Sequence, residues 1–301
     1  MLVLDSAALR RALPPRTAVQ LIRDALRDGL DPEAEAPRTA VPVTAGSMLL
    51  MPAEWRGHLG VKLVTVDGRP HPVRARVQGT YALFDAQTLT PIGLLDATEL
   101  TRIRTAAVSA LALDTVASSG PVDLVVFGSG VQAGSHLRAI ASARELARVR
   151  IVARDRGKLA AFLAELAAEG ISAEPAGARA VGEASVVVCA TTSRSPLFDG
   201  TALRDDAMVI AIGSHEPDAR EVDSATVGRS YAIVESMANS SRENGNLLLA
   251  QADGVVPRGI TTLSRLVREP FLPPPGPTVY LGSGMAWQDL VLASHCITLT
   301  A

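Results

Sequence analysis

The chain has 301 residues, 48% of them apolar, and a formal net charge of −2. That length buries one large core or two medium ones, and the balanced charge argues against nucleic acid or an anionic membrane as the main partner. No apolar run reaches the roughly 20 residues of a membrane helix. Met1 to Arg10 lack the basic start and apolar core of a signal peptide, and Cys189 and Cys296 form no metal or redox spacing. These features predict a cytoplasmic protein with reduced, packed cysteines and no metal.

Apolar residues recur at helical spacing between Ala7 and Leu30. Pro14-Pro15 interrupts this pattern and opens the main helix, whose apolar face carries Ala18, Leu21, Ile22 and Ala25, with Gly29 fitting its end. From Arg38 the pattern changes to short β-like runs at Thr39–Thr44, Ser47–Met51, Gly60–Val66, Val77–Phe84 and Pro91–Asp96, which read as an antiparallel meander. Thr98 to Val116 returns to a helix, rich in alanine after Arg104. The first third is therefore an α+β unit.

From Pro121 the pattern alternates as βαβ, with strands at Leu124–Phe127, Val149–Ala153, Val186–Ala190, Met208–Ile212 and Tyr231–Val234. Helices fall at Gln132–Ala143 and Arg156–Glu169, with a short one from Thr201–Leu203 onward. This predicts a doubly wound parallel sheet. Pro270 to Pro277 reads as an extended proline-rich loop, and Tyr280 to Thr300 as a Gly-rich turn and a final helix.

Between the first of these strands and its helix stands Gly128-Ser-Gly130-Val-Gln-Ala133. A G-x-G-x-x-G/A run in that context is a dinucleotide fingerprint. Gly128 permits the tight turn, Gly130 lets the backbone approach a pyrophosphate, and Ala133 lets helix and strand pack closely. The N–H groups of the helix start then hold the phosphates. An acidic residue at the end of the second strand would bind the ribose of NAD, but here the run is Val152-Ala153-Arg154-Asp155-Arg156, with Lys158 close behind. This cationic cluster suits a 2′-phosphate and favours NADP(H), while Asp155 keeps NAD(H) open.

Of 29 basic residues only Lys62 and Lys158 are lysines. Arginine keeps its proton in a protein, whereas a lysine is tunable by burial, so Lys62 is a candidate for proton chemistry. His58, His71, His136 and His295 share no spacing and read as surface or packing residues, and Trp55 and Trp287 as core.

Several segments together resemble the ornithine cyclodeaminase/μ-crystallin family across nearly the whole chain. They are Pro37-Arg38, Met51-Pro52, Gly60-Val61-Lys62, Leu100-Thr101 with Arg104-Thr105-Ala106-Ala107, the Gly128 to Ala133 turn, Ala190-Thr191-Thr192-Ser193 with Pro196, Gly213 with Pro217 and Arg220-Glu221, and Gly284-Met285-Ala286 with Asp289. The resemblance implies a Rossmann-type domain at 118–280, inserted into an α+β substrate-binding and dimerisation domain at 1–117 and 281–301. It also implies a homodimer. By the same resemblance Arg38, Lys62 and Arg104 gather around a substrate α-carboxylate, where guanidinium forks grip bidentately. Thr80, Arg104, Thr105, Val131, Gln132, Arg154 and Thr191 match positions that touch the nucleotide. The 209–212 backbone (including Ile210, Ala211 and Ile212) and Ser283 match positions near the nicotinamide.

Two positions depart from the cyclodeaminases. Their acid/base aspartate is replaced here by His215, and a family serine by Gly282. Histidine can serve as a base near neutral pH but does not attract a second ammonium, so cyclodeamination is in doubt while hydride transfer is untouched. Glu216 reads either as a substitute acid or as a solvated loop residue. The expected activity is NADPH-dependent reduction of an imine bearing an α-carboxylate, with Lys62 or His215 managing the proton on nitrogen; in reverse the enzyme is an amino-acid dehydrogenase. Alternatives are ornithine cyclodeaminase and an NADPH-dependent small-molecule binding protein.

Overall fold

The computed structural model describes residues 1–69, 73, 75–116, 120–214, 216–269, 271 and 274–299. The chain divides into two compact units, one of residues 1–108 with 285–301 and one of residues 109–284.

The first unit opens with β1 (Leu2–Leu4), α1 (Ser6–Ala12) and α2 (Pro15–Arg27). Asp5 caps α1 by accepting from the Ala8 amide, and Pro15 sits in the first turn of α2, where no N–H is needed. α2 buries Ala18, Val19, Ile22, Ala25 and Leu26 along one stripe. Then follow β2 (Thr39–Val43), β3 (Gly46–Trp55), β4 (His58–Asp67), β5 (Val77–Asp85) and β6 (Pro91–Asp96), in the predicted meander. Arg56 and Gly57, both with positive φ, make the two-residue turn between β3 and β4, a geometry that matches strand twist. β1, which the sequence pattern does not reveal, adds parallel to β6, so among the described residues the sheet order is β1-β6-β5-β4-β3-β2.

One row across this sheet pairs Met51, Lys62, Tyr81 and Leu95, all buried on the same face. The next row, Thr39, Leu50, Leu63 and Thr80, points to the opposite face.

The unit boundary falls within α3 (Ala97–Val116). The second unit then runs through β7 (Val122–Phe127), α4 (Val131–Ala143), β8 (Leu146–Val152), α5 (Arg156–Ala168), β9 (Glu174–Pro175), β10 (Val186–Cys189) and β11 (Met208–Ala211). It continues with α6 (Ser224–Arg229), β12 (Tyr231–Val234), α7 (Met237–Glu243), α8 (Gly245–Ala252), β13 (Gly259–Thr262), α9 (Leu263–Arg268) and β14 (Thr278–Leu281). The predicted helix from Thr201 is only a 3₁₀ turn at Gly200–Ala202.

All strand pairs of this sheet are parallel, in the order β13-β12-β14-β11-β10-β7-β8-β9 among the described residues. β10, β11 and β14 are uninterrupted buried runs, as strands covered on both faces must be. β9, β13 and β14 lie outside the predicted set, and β14 slots between β11 and β12. Of the predicted loop at Pro270–Pro277, residues 270, 272 and 273 lie outside the described residues. Strand order reverses between β7 and β10, and a doubly wound sheet offers its binding crevice at the carboxyl ends of such strands.

The chain ends in α10 (Ala286–Thr298), which returns to the first unit. Glu35 accepts hydrogen bonds from the Ala286 and Trp287 amides at 2.8 and 2.6 Å, capping this helix from 251 residues away. Among the described residues no helix is long and apolar enough to cross a membrane, and Cys189 and Cys296 are buried and not joined in a disulfide.

Candidate active site

In the first unit, β4 carries Lys62 on its buried face and α3 carries Thr101 and Arg104, three residues apart and therefore on one side of the helix. α10 supplies Gln288 and Asp289. The Lys62 Nζ donates to Asp289 Oδ2 at 2.6 Å and to Thr101 Oγ1 at 3.3 Å. Arg104 Nη1 donates to Gln288 Oε1 at 2.9 Å, and its Nε lies 3.8 Å from Asp289 Oδ1. Lys62 is 2% exposed and Asp289 fully buried. Burial lowers the Lys62 pKa to about 8; Asp289 opposes that shift, while the nearby charges of Arg104 and Arg38 reinforce it.

Of the three residues expected to clamp a carboxylate, Arg104 and Arg38 thus both act on Lys62 electrostatically. Asp289 Oδ1, Arg104 Nε and the Tyr81 hydroxyl make no hydrogen bond among the described residues. The open donor on Arg104 suits an anionic group, while the open Asp289 oxygen suits an N–H or O–H donor of a polar ligand. Asp289 was legible only as part of the family pattern, with no role attached. Its local signal is a carboxylate inside the apolar run Ala286-Trp287-Gln288-Asp289-Leu290-Val291.

Of the predicted nucleotide contacts, Thr80, Arg104 and Thr105 belong to the first unit and the others to the second. Thr80 is exposed on the sheet face opposite Lys62, and the Thr105 hydroxyl donates to the Thr101 carbonyl at 2.7 Å.

In the second unit Gly128 has φ +113°, and a Cβ there would stand 2.6 Å from the Ala190 carbonyl oxygen. Only glycine fits between the ends of β7 and β10. Its amide donates to the Val152 carbonyl at 2.9 Å, tying the turn to the end of β8. Gly130 is exposed, with open space where a Cβ would point. It caps α4 with no side-chain hydrogen bond, whereas α5, α6, α7, α8 and α9 are each capped by an Asp, Ser, Asn or Thr side chain. Amides left uncapped at an open helix start fit a phosphate group. Val131 is exposed beside them, Ala133 is packed, and Gln132 Oε1 is buried without a partner among the described residues. His136, a predicted packing residue, is fully buried, with Nδ1 on the Gln132 carbonyl and Nε2 on Ser109 Oγ.

Arg154 is exposed just beyond β8. Asp155 caps α5 through the Lys158 amide at 3.0 Å, and that hydrogen bond holds its carboxyl below the usual range. A carboxylate engaged in this way is occupied by the helix start.

Two buried carboxylates order the strand ends: Glu221, legible only as part of the family pattern with no role attached, and Glu235, which nothing local marks in the sequence. Glu221 accepts from the Thr191 amide, the Thr191 hydroxyl and the Gly213 amide, each at 2.7 Å; burial nonetheless raises its pKa. Glu235 accepts from the Tyr280 hydroxyl and from the amides of Ser283 and Gly284, at 3.0, 2.9 and 2.7 Å. Asn239 Nδ2 adds a bond to Ser283 Oγ at 2.8 Å. Ile210 and Ala211 are buried and Ile212 half-buried, so they offer a ligand chiefly backbone. At Gly282 a Cβ would press to 3.0 Å on the Tyr280 ring, which gives the glycine its physical reason. Glu216 is exposed and pairs with Arg194 at 2.6 Å. His215, the predicted acid/base residue, lies outside the described residues.

Three comparisons with known proteins bear on this arrangement. The chain is 32% identical over 256 residues to a Delta(1)-pyrroline-2-carboxylate reductase 2 of Burkholderia ambifaria, covering 84% of this chain and 81% of the relative. It is 30% identical to the ketimine reductase mu-crystallin of Mus musculus, covering 85% and 82%. A solved Delta(1)-pyrroline-2-carboxylate reductase of Thermococcus litoralis, in complex with NADH and L-proline, superposes with a TM-score of 0.90 at 25% identity, covering 99% of this chain and 97% of that one. Residues 15–295 match the ornithine cyclodeaminase/mu-crystallin family, and the chain belongs to that family.

Proposed function

We propose that this protein reduces imines bearing an α-carboxylate with a nicotinamide dinucleotide, NADPH in preference to NADH. The observation that carries this reading is the buried Lys62 ammonium, held by Asp289 beside Arg104 and close to the charge of Arg38. Relatives named for pyrroline-2-carboxylate and ketimine reduction support the substrate class.

When bound, the reduced nicotinamide supplies the hydride. The second unit contributes the Gly128–Ala133 turn and the uncapped start of α4, which suit its pyrophosphate. In the first unit Arg38 and Arg104 take the substrate carboxylate and so orient the imine carbon. Reduction of C=N to CH–NH requires one proton at nitrogen, and Lys62 Nζ is its donor. A lysine brought down to about 8 releases that proton near neutral pH, where arginine would keep it. Running in reverse, the same neutral amine accepts the proton from the amino acid.

The primary assay is NADPH oxidation with pyrroline-2-carboxylate or piperideine-2-carboxylate, where the expected outcome is turnover without ammonia release. Lys62→Arg keeps the charge and is expected to lower kcat at least about a hundredfold; an unchanged kcat removes the proton role. Because the ammonium form donates, imine reduction should decline as pH rises through about 8. Asp289→Asn removes the counter-charge and should move that limb of the kcat/KM profile down by about one pH unit or more; a limb that stays in place would detach it from Lys62.

The exposed Arg154, together with an Asp155 spent on capping α5, supports NADPH. Arg154→Ala should erode the ratio of kcat/KM for NADPH over NADH by about tenfold, and a wild-type preference for NADH would overturn the choice.

We further propose a cytoplasmic homodimer. Buried cysteines outside any disulfide favour a reducing compartment, and Val41, Val43, Met48 and Leu63 stand exposed on the sheet face opposite Lys62, an apolar surface suited to a second copy. Sedimentation velocity should show a dimer that Met48→Glu dissociates; a monomeric wild type would refute this.

A further inference from the structure

We propose that Glu221 is a positioning residue for the dinucleotide, clamping together the loops that leave β10 and β11 and fixing the polarity of the Thr191 hydroxyl. This inference rests on the dinucleotide reading above.

The clamp is complete in its hydrogen bonds. Glu221 Oε1 takes both the amide and the hydroxyl of Thr191, and Oε2 takes the amide of Gly213. Its own backbone is anchored on both sides, the amide donating to Asn246 Oδ1 at 2.8 Å and the carbonyl accepting from Leu197 N at 2.8 Å. The side chain is fully buried, with both carboxylate oxygens engaged. A Cβ on residue 213 would meet the Thr191 carbonyl at 2.1 Å and the Glu221 carboxyl at 2.7 Å, so the two loops close on each other around the acid. These loops leave adjacent parallel strands at their carboxyl ends, on the edge where a doubly wound sheet binds its nucleotide.

A chemical consequence follows for recognition. The Thr191 hydroxyl proton is committed to Glu221, and one of its lone pairs accepts from the Ser193 amide at 3.1 Å. What the hydroxyl can still offer is an acceptor. It suits a ribose hydroxyl or a carboxamide N–H of the dinucleotide, and it does not suit a phosphate oxygen. A carboxylate at 221 is needed for this. Glutamine has one acceptor oxygen, and its amide nitrogen would face either the Gly213 or the Thr191 N–H as a second donor.

The test is a titration of the whole protein with NADPH, followed by cofactor fluorescence, on wild type, Glu221→Gln, Thr191→Val and the double variant. Thermal unfolding is recorded for each. Glu221→Gln should weaken NADPH about tenfold. If Glu221 acts through Thr191, the double variant should lose little more than the larger single loss. Thr191→Ser, which keeps the hydroxyl, should bind within about twofold of wild type, a readout that survives even if the Glu221 variant does not fold. Wild-type affinity in Glu221→Gln, additive losses in the double variant, or a Thr191→Ser as weak as Thr191→Val would each overturn the proposal. A wild-type protein that binds no NADPH would instead overturn the dinucleotide reading, and this inference with it.

Discussion

A lysine ammonium buried against one carboxylate, 227 residues away in sequence, is the constraint around which the first unit is built. Taking both charges out of water is costly, and replacing such a pair by apolar groups often leaves a protein equally stable. The pair is therefore poorly explained by stability. It is well explained by chemistry, because two nearby arginines and near-complete burial push the lysine toward neutrality while Asp289 keeps it charged. The arrangement demands that α10 return beneath β4, and Glu35 at its first amides holds it there. This is why the last residues of the chain belong with the first.

The second unit uses buried carboxylates in another way. Glu221 and Glu235 sit at the carboxyl ends of the parallel strands and collect backbone amides that would otherwise be orphaned there. Each acid joins loops from different strands, so the rim of the sheet is stitched by hydrogen bonds where no strand pairing can reach. The neighbouring helices α5 through α9 are closed by their own capping side chains, and α4 is left open at Gly130. Capped ends around one open end set the start of α4 apart from its neighbours.

Features that depend on neighbours in sequence were readable from the chain alone. The meander of β2 to β6 follows from period-two alternation and turn residues, α2 from an apolar stripe behind a proline, and the β7–α4 turn from two glycines and an alanine at set spacing. The family resemblance extended this to Arg38, Lys62 and Arg104. Each of these signals spans a few residues or an order of short motifs along the chain, and each survives without knowledge of what packs against it.

The tertiary structure decided the rest, because a strand of three or four residues carries too little pattern to announce its partner. β1 joins β6, and β14 enters between β11 and β12, only because the existing sheet offers those edges. The pairings of Lys62, Thr191 and Ser283 were not legible for a related reason: Asp289 and Glu221 stood in the family pattern with no role attached and Glu235 not at all, because an acidic residue must find its donors only once folding removes it from water. The sequence by itself determined the longer, strongly patterned helices and strands and the glycine turn between β7 and α4. Long-range burial decided which charges meet, because only the folded chain brings Lys62, Arg104 and Asp289 together out of water.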